Sequence, residues 1–174
     1  MWAKQKQQTG FTIVELLIVI VVIAILAAIT IVAYNGVQER ARNTQTITAV
    51  KEYMKLYSAY AIDYDVYPGG GNYCLGTGYP DGLCWDNRTY TENTAANTGL
   101  LKYISNLPTP STARVYRNAT DGYRAGILFV SPYNLRYQLE GVNTQCGISG
   151  ATRTFTAGVS SGPECNVTVP DPAL

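Results

Sequence analysis

The 174-residue chain contains no histidine. That single absence excludes imidazole-based metal sites, Ser-His-Asp triads and Cys-His dyads. Charge is scarce as well, at 14% of residues against roughly 25% in soluble domains. Because 13 basic side chains nearly cancel 12 acidic ones, a nucleic-acid binder driven by bulk charge is excluded and no strong nucleic-acid signal remains. No cysteine precedes residue 74, and the four present, Cys74, Cys84, Cys146 and Cys165, contain no Cys-x-x-Cys spacing, which argues against a redox or soft-metal role. Gly69-Gly70-Gly71 and Gly76-Thr77-Gly78 have no lysine in register and so are loops, not phosphate cradles. No repeat or linker suggests a second globular domain in a chain of this length.

What the chain has in quantity is apolar sequence at one end. Leu16 to Ile29 is fourteen apolar residues without a break, preceded by Phe11-Thr12-Ile13-Val14 and followed by Thr30-Ile31-Val32-Ala33. About 20 residues suffice to cross a bilayer. The polar start, Met1 to Gly10 with Lys4 and Lys6, belongs on the cytoplasmic side by the positive-inside rule. A cleaved secretory signal is the alternative, with Ala27-Ala28 as its imitation of a cleavage site. Glu15 interrupts the run, and a carboxylate at such a place costs roughly 2.5–3.5 kcal/mol on insertion scales. Position alone allows it to snorkel to the headgroups; a plain anchor has no use for it.

The string Gly10-Phe11-Thr12-Ile13-Val14-Glu15-Leu16-Leu17-Ile18-Val19-Ile20-Val21, continued by Ala24-Ile25-Leu26-Ala27-Ala28-Ile29, closely resembles the N-terminus of type IV pilins and of the pseudopilins of type II secretion. The resemblance covers about 24 residues and includes the lysine-containing leader. It implies cleavage by a prepilin peptidase after Gly10, methylation of the new N-terminal residue Phe11, and a role in assembly for Glu15. Two departures stand out: the family often has glycine where this chain has Ala24 and proline where it has Val32. A more continuous helix is therefore expected, with any loosening at Asn35-Gly36, each residue up to about 1 kcal/mol poorer than alanine in a helix. The implied layout is a leader over 1–10, a transmembrane and filament-core helix over 11–34, and a head domain over 35–174.

Past Gly36 an apolar stripe of Val37, Ala41, Thr44, Ile47, Val50, Met54, Tyr57 and Ala61 steps by three or four, with Gln38, Glu39, Arg42, Asn43, Gln45, Lys51, Glu52 and Lys55 opposite. This predicts that the helix continues to about Ala61 and packs one face on a core. The turn cluster from Tyr64 to Gly71 ends it, and residues from there to Arg88 read as loop. Asn97 to Leu107 reads as a short helix stopped by Pro108 and Pro110. Strands are predicted over Tyr123–Val130 and Asn134–Leu139 as a hairpin with Leu135, Tyr137 and Leu139 on one face, and further strands over Arg114–Arg117 and Arg153–Val159. The fold class is thus α+β, a long helix on a three- or four-stranded antiparallel sheet, as the Tyr-Pro and Leu-Pro pairs of pilins also imply. Tyrosine, 14 of 19 aromatics, suits half-exposed strands and loops where its hydroxyl finds a partner.

Four cysteines allow three pairings. Short loops close at lower entropic cost, which favours Cys74 with Cys84 and Cys146 with Cys165; the second would enclose a Gly/Ser/Thr-rich segment similar to the disulfide-bounded C-terminal region of many pilins. Sequons at Asn87, Asn118 and Asn166 arise readily by chance in an Asn/Thr-rich chain. Asp81, Asp86 and Asn87 offer oxygens to calcium in no known loop pattern, so no metal or cofactor is called for. No catalytic constellation emerges. The resemblance implies a structural pilus subunit, first a single-pass cytoplasmic membrane protein and then part of an extracellular pilus serving adhesion, twitching or DNA uptake. Its partners would be other pilin subunits, prepilin peptidase, the assembly platform and motor, and the membrane. A type II secretion pseudopilin, a minor pilin acting as tip adhesin, and a membrane-anchored enzyme are the alternatives.

Overall fold

The computed structural model describes residues 10–85, 90–118, 122–142, 144–154 and 162–170, with the backbone alone at 32 and 33. Two units emerge, one ending at Gln38 and the other beginning at Glu39. One helix, α1 (Ile13–Tyr64), contributes to both. It runs unbroken through Asn35 and Gly36 and ends three residues later than its apolar stripe suggests. Asp65 closes it in the left-handed region (φ 54°), its N–H donating to the Ala61 carbonyl at 2.8 Å, a C-terminal cap more often built on glycine or asparagine.

The second unit contains β1 (Tyr73–Leu75), a 3₁₀ turn at Pro80–Gly82, β2 (Leu83–Trp85), β3 (Tyr90–Thr91), α2 (Thr94–Leu100), β4 (Val115–Asn118), β5 (Gly122–Arg124), β6 (Ile127–Val130), β7 (Asn134–Gln138), β8 (Thr152–Thr154) and β9 (Glu164–Thr168). They form two antiparallel sheets, β1-β6-β7-β9-β8 and β3-β2-β5-β4. The single sheet expected from sequence is therefore one of two. The predicted loop 69–88 holds β1 and β2, and the predicted strand Tyr123–Val130 is divided between the sheets. Gly126 makes the division (φ 57°): a Cβ there would lie 2.3 Å from the Tyr79 hydroxyl, which accepts from the Ile127 N–H at 3.2 Å and donates to the Leu75 carbonyl at 2.5 Å. Only glycine fits that conformation and that approach.

The five-stranded sheet is covered on both sides. Tyr73, Leu75, Ile127, Phe129, Leu135, Tyr137, Cys165 and Val167 pack on Ala49, Val50, Tyr53, Leu56 and Tyr57 of α1. On the reverse face Cys74 and Leu128 join Tyr79, Cys84, Trp85 and Ala125 in a second core under the smaller sheet. Strands β1 and β6 consequently bury consecutive residues, and the alternation that reveals a half-exposed strand is missing from their sequence. In β7 the predicted alternation of Leu135 and Tyr137 is present.

Two sequence expectations need correction here. The helix face that meets the core starts at Asn43 and Thr46, both buried, whereas Val37 is exposed and Arg42 only half-buried; Asn43 belongs inside because its amide serves the backbone of Glu140, as developed below. The short helix spans Thr94–Leu100 instead of starting at Asn97. Its cap is Asn93, whose side chain accepts from the Ala96 N–H at 3.0 Å, the kind of residue favoured at that position, and Asn97 falls inside the helix.

Five tyrosines, Tyr53, Tyr57, Tyr73, Tyr79 and Tyr137, are buried, deeper than half-exposed strands would place them. Each hydroxyl has a partner. Tyr53 donates to the Pro108 carbonyl at 3.0 Å and Tyr137 to the Cys146 carbonyl at 2.8 Å. Tyr73 donates to the Pro68 carbonyl, so the 2.7 Å contact with Tyr57 is a bond given by Tyr57. Burial raises the pKa of all five phenols.

Candidate functional site

The region singled out by the sequence begins where the structure does. Gly10 is exposed, and nothing lies within 4 Å of where a Cβ would sit; Phe11 is 87% exposed. The Gly10–Phe11 peptide thus precedes the first helical turn and is unobstructed by the other described residues. Helix α1 starts two residues later for a local reason. The Thr12 hydroxyl accepts from the Glu15 N–H at 3.2 Å, and the Glu15 carboxylate reaches back to the Thr12 N–H at 2.9 Å and to the Thr12 hydroxyl at 2.8 Å. This reciprocal arrangement is a capping box, in which N-cap Thr and N3 Glu satisfy donors that the helix itself leaves orphaned.

The arrangement changes the physical meaning of Glu15. A bare carboxylate facing hydrocarbon is expensive, but this one accepts two in-chain hydrogen bonds and sits at the positive end of the helix dipole. Thr12 is the capping residue that sequence reasoning passed over. Its signal, Thr-x-x-Glu ahead of an apolar run, is legible in the sequence.

From Leu16 to Ile31 the large apolar side chains are between 48% and 63% exposed. Among the described residues α1 is the one helix long and apolar enough to cross a membrane, and its most apolar window is wholly unburied. A continuous apolar surface of this size marks a lipid or protein contact.

Residues 5–31 match the prokaryotic N-terminal methylation motif, a stretch that crosses the Gly10–Phe11 junction into the capped apolar helix. Two curated relatives share sequence with the chain. The type II secretion system core protein G of Vibrio cholerae is 32% identical over 65 residues, 37% of this chain and 44% of that protein. The type IV wide pilus major component PilA4 of Thermus thermophilus is 29% identical over 123 residues, 53% of this chain and 94% of that protein. The chain thus carries the N-terminal methylation motif and is similar in sequence to a type IV pilus component and to a type II secretion core protein. It spans less than half the length of the Vibrio relative and nearly all of the Thermus one. No solved structure matches. The motif and the bare apolar helix fit insertion into a membrane.

The remaining sequence candidates fall into place around the head. Disulfides join Cys74 to Cys84 and Cys146 to Cys165, with Cα atoms 5.8 and 5.7 Å apart. The first ties β1 to β2 and so links the two sheets; the second fastens the segment after β7 to β9. Asp81 forms an ion pair with Arg114 at 2.9 Å, which gives its carboxylate a partner other than calcium. Asp86 and Asn87, the other oxygens considered there, lie outside the described residues, as does the Asn87 sequon. Asn118 ends β4 and Asn166 lies within β9.

Proposed function

We propose that this chain is a type IV pilin, a structural subunit of a type IV pilus. Prepilin peptidase removes residues 1–10 by cutting after Gly10, the amine of Phe11 is methylated, and residues 11–34 pass from the membrane into the core of the filament while residues 35–174 form the head. The observation that carries this reading is an apolar helical stretch, bare from Leu16 to Ile31 and opened by a carboxylate with matched donors. Such a helix requires cover on every side, from lipid before assembly and from copies of itself afterwards.

Cleavage places an ammonium on Phe11, adjacent to Thr12. In a bundle of these helices the Glu15 carboxylate of one subunit meets the Phe11 ammonium of another, replacing a lone buried charge by a paired one, which is far less costly in low dielectric. The capping box holds Glu15 in a defined rotamer until that partner arrives. Removing the two leader lysines leaves 11 basic against 12 acidic side chains, so the subunit stays near neutral and steering by bulk charge is weak. The partners are copies of the chain, the peptidase, the assembly platform and its motor. The location is the cytoplasmic membrane and then the cell surface, and the role is structural instead of enzymatic.

A second reading, a pseudopilin of type II secretion, is favoured by the similarity to the Vibrio core protein. Filament length separates the two: long surface filaments support the pilus, and a secretion defect without them supports the pseudopilin. The test common to both is the mass of the N-terminal peptide in material sheared from cells. A peptide starting at Phe11 with one added methyl group is expected. A chain found only in membranes and still starting at Met1 would refute both readings.

A further inference from the structure

The reverse face of the five-stranded sheet meets the smaller sheet around a cavity of about 120 Å³. Leu128 and Val130 of β6 supply apolar lining, and Trp85 of β2 supplies an indole against which the Arg124 guanidinium stacks, 4.2 Å from the ring centroid. Arg136 of β7 and Asn72, just before β1, also line it.

One donor in this lining is buried without an acceptor, and two others, on Arg136 (side chain 41% exposed) and the exposed Asn72, stand beside it. Trp85 is 2% exposed, and its Nε1–H is buried with no hydrogen-bond partner among the described residues. Arg136 approaches Glu164 Oε1 only to 3.7 Å, outside hydrogen-bond distance. The carboxylate of Glu164 is engaged elsewhere, bonded to Arg124 and 3.9 Å from Arg117. Asn72 is fixed by two bonds, its Oδ1 accepting from the Ser131 N–H at 3.0 Å and its Nδ2 donating to the Tyr90 hydroxyl at 3.2 Å, with one amide hydrogen left over. A buried donor without an acceptor is uncommon in native proteins. Here the lining offers an indole N–H, a guanidinium fork and an amide N–H together.

We propose that this cavity binds a small organic carboxylate. An acceptor is needed to answer the buried indole N–H, and a carboxylate presents two oxygens, one for that N–H and one for the arginine fork beside it. The volume equals the share of roughly four liquid waters, enough for a carboxylate with a stem of one or two carbons. Leu128 and Val130 decide the class: an alkyl stem lies against them, whereas a fully hydrated inorganic oxyanion would have to give up water to apolar surface.

The test uses the full chain in detergent micelles with Trp2 replaced by Phe, so that Trp85 is the sole indole. Sodium propionate is titrated at constant ionic strength against sodium chloride, with sodium phosphate as a second probe, and indole emission is read. The expected result is a saturable change with propionate, weaker with phosphate and absent with chloride, and a binding constant about tenfold weaker in Arg136→Gln, as loss of a charged hydrogen bond requires. Should Arg136→Gln lose its cooperative melt, Arg136→Lys, which keeps the charge without the paired donors, carries the same expectation. No saturable change beyond that of chloride, equal binding of phosphate, or binding indifferent to the Arg136 substitutions would each overturn the proposal.

Discussion

Asn43 on α1 and Glu140 after β7 form a contact whose energetics run against the usual ranking of charged over neutral pairs. The Asn43 amide donates to the Glu140 carbonyl at 2.9 Å and accepts from the Glu140 N–H at 2.8 Å, while Arg42 grips the Glu140 carboxylate at 2.6 and 2.7 Å. Asn43 is buried, but the ion pair retains 35% and 22% side-chain exposure. Replacing Asn43 by Ala removes the partner of the Glu140 N–H; the carbonyl keeps the Thr144 hydroxyl at 2.6 Å. One stranded donor costs about 1–3 kcal/mol and the second lost bond about 1, so about 2–4 kcal/mol is expected in sum. For a domain of this size that lowers Tm by roughly 5–15 °C. Arg42→Ala breaks a half-exposed pair worth about 0.5–1 kcal/mol and leaves a carboxylate that still reaches water, a fall of roughly 1–4 °C. Thermal unfolding of the two variants by circular dichroism in micelles decides the matter. An Arg42→Ala loss equal to or larger than that of Asn43→Ala would refute the reasoning.

Three further outcomes follow from the same structure. Thr12→Val removes the hydroxyl of the capping box, a loss of about 1 kcal/mol, and should speed amide exchange at Glu15 about fivefold; unchanged exchange would show that the box does not hold the helix start, and Glu15→Ala should separately abolish normal filaments if the carboxylate guides assembly. Gly126→Ala forces both a left-handed conformation and a collision with the Tyr79 hydroxyl, which two hydrogen bonds hold in place; about 2–4 kcal/mol should be lost, measured as a fall in Tm, and wild-type stability would contradict the geometry. Raising the pH tests the buried phenols: the folded state holds them above the ordinary tyrosine value of about 10, with burial as the largest cause. The unfolded chain therefore releases these protons first, so stability is full below pH about 10 and falls as pH climbs beyond it. Tyrosinate absorbance of these five should rise together with unfolding, and their ionisation in a head still folded would be the contrary result.

The N-terminal methylation motif and the outline of the fold were legible because they depend on local pattern. The apolar run, Glu15 within it and the Gly10–Phe11 junction lie in one continuous stretch, and the alternation of Leu135 and Tyr137 survives because β7 has one apolar face. The second sheet was not legible, and the reason is burial on both sides. Once α1 covers one face of the first sheet and the smaller sheet covers the other, Tyr73-Cys74-Leu75 and Ile127-Leu128-Phe129 have no polar positions with which to announce a strand. At three or four residues each they are too short for periodicity to speak instead.

The misplaced helix face has a different origin. Asn43 looks like a solvent residue in any hydropathy pattern, yet it is inside because its amide supplies the donor and the acceptor that the Glu140 backbone would otherwise find in a neighbouring strand. Such a residue is chosen by a contact 97 positions away, and no window along the sequence contains both partners. Thr12 is the opposite case. Its partner is three residues off and its role could be read directly, but the carboxylate of Glu15 drew attention to charge in the membrane and away from the helix that the charge begins. The two readings meet in the proposed assembly step. A cap that satisfies Glu15 within its own chain weakens its pull on a second chain, so the Phe11 ammonium must outcompete the Thr12 donors to fix register, and Thr12→Val should strengthen pairing even as it loosens the helix start.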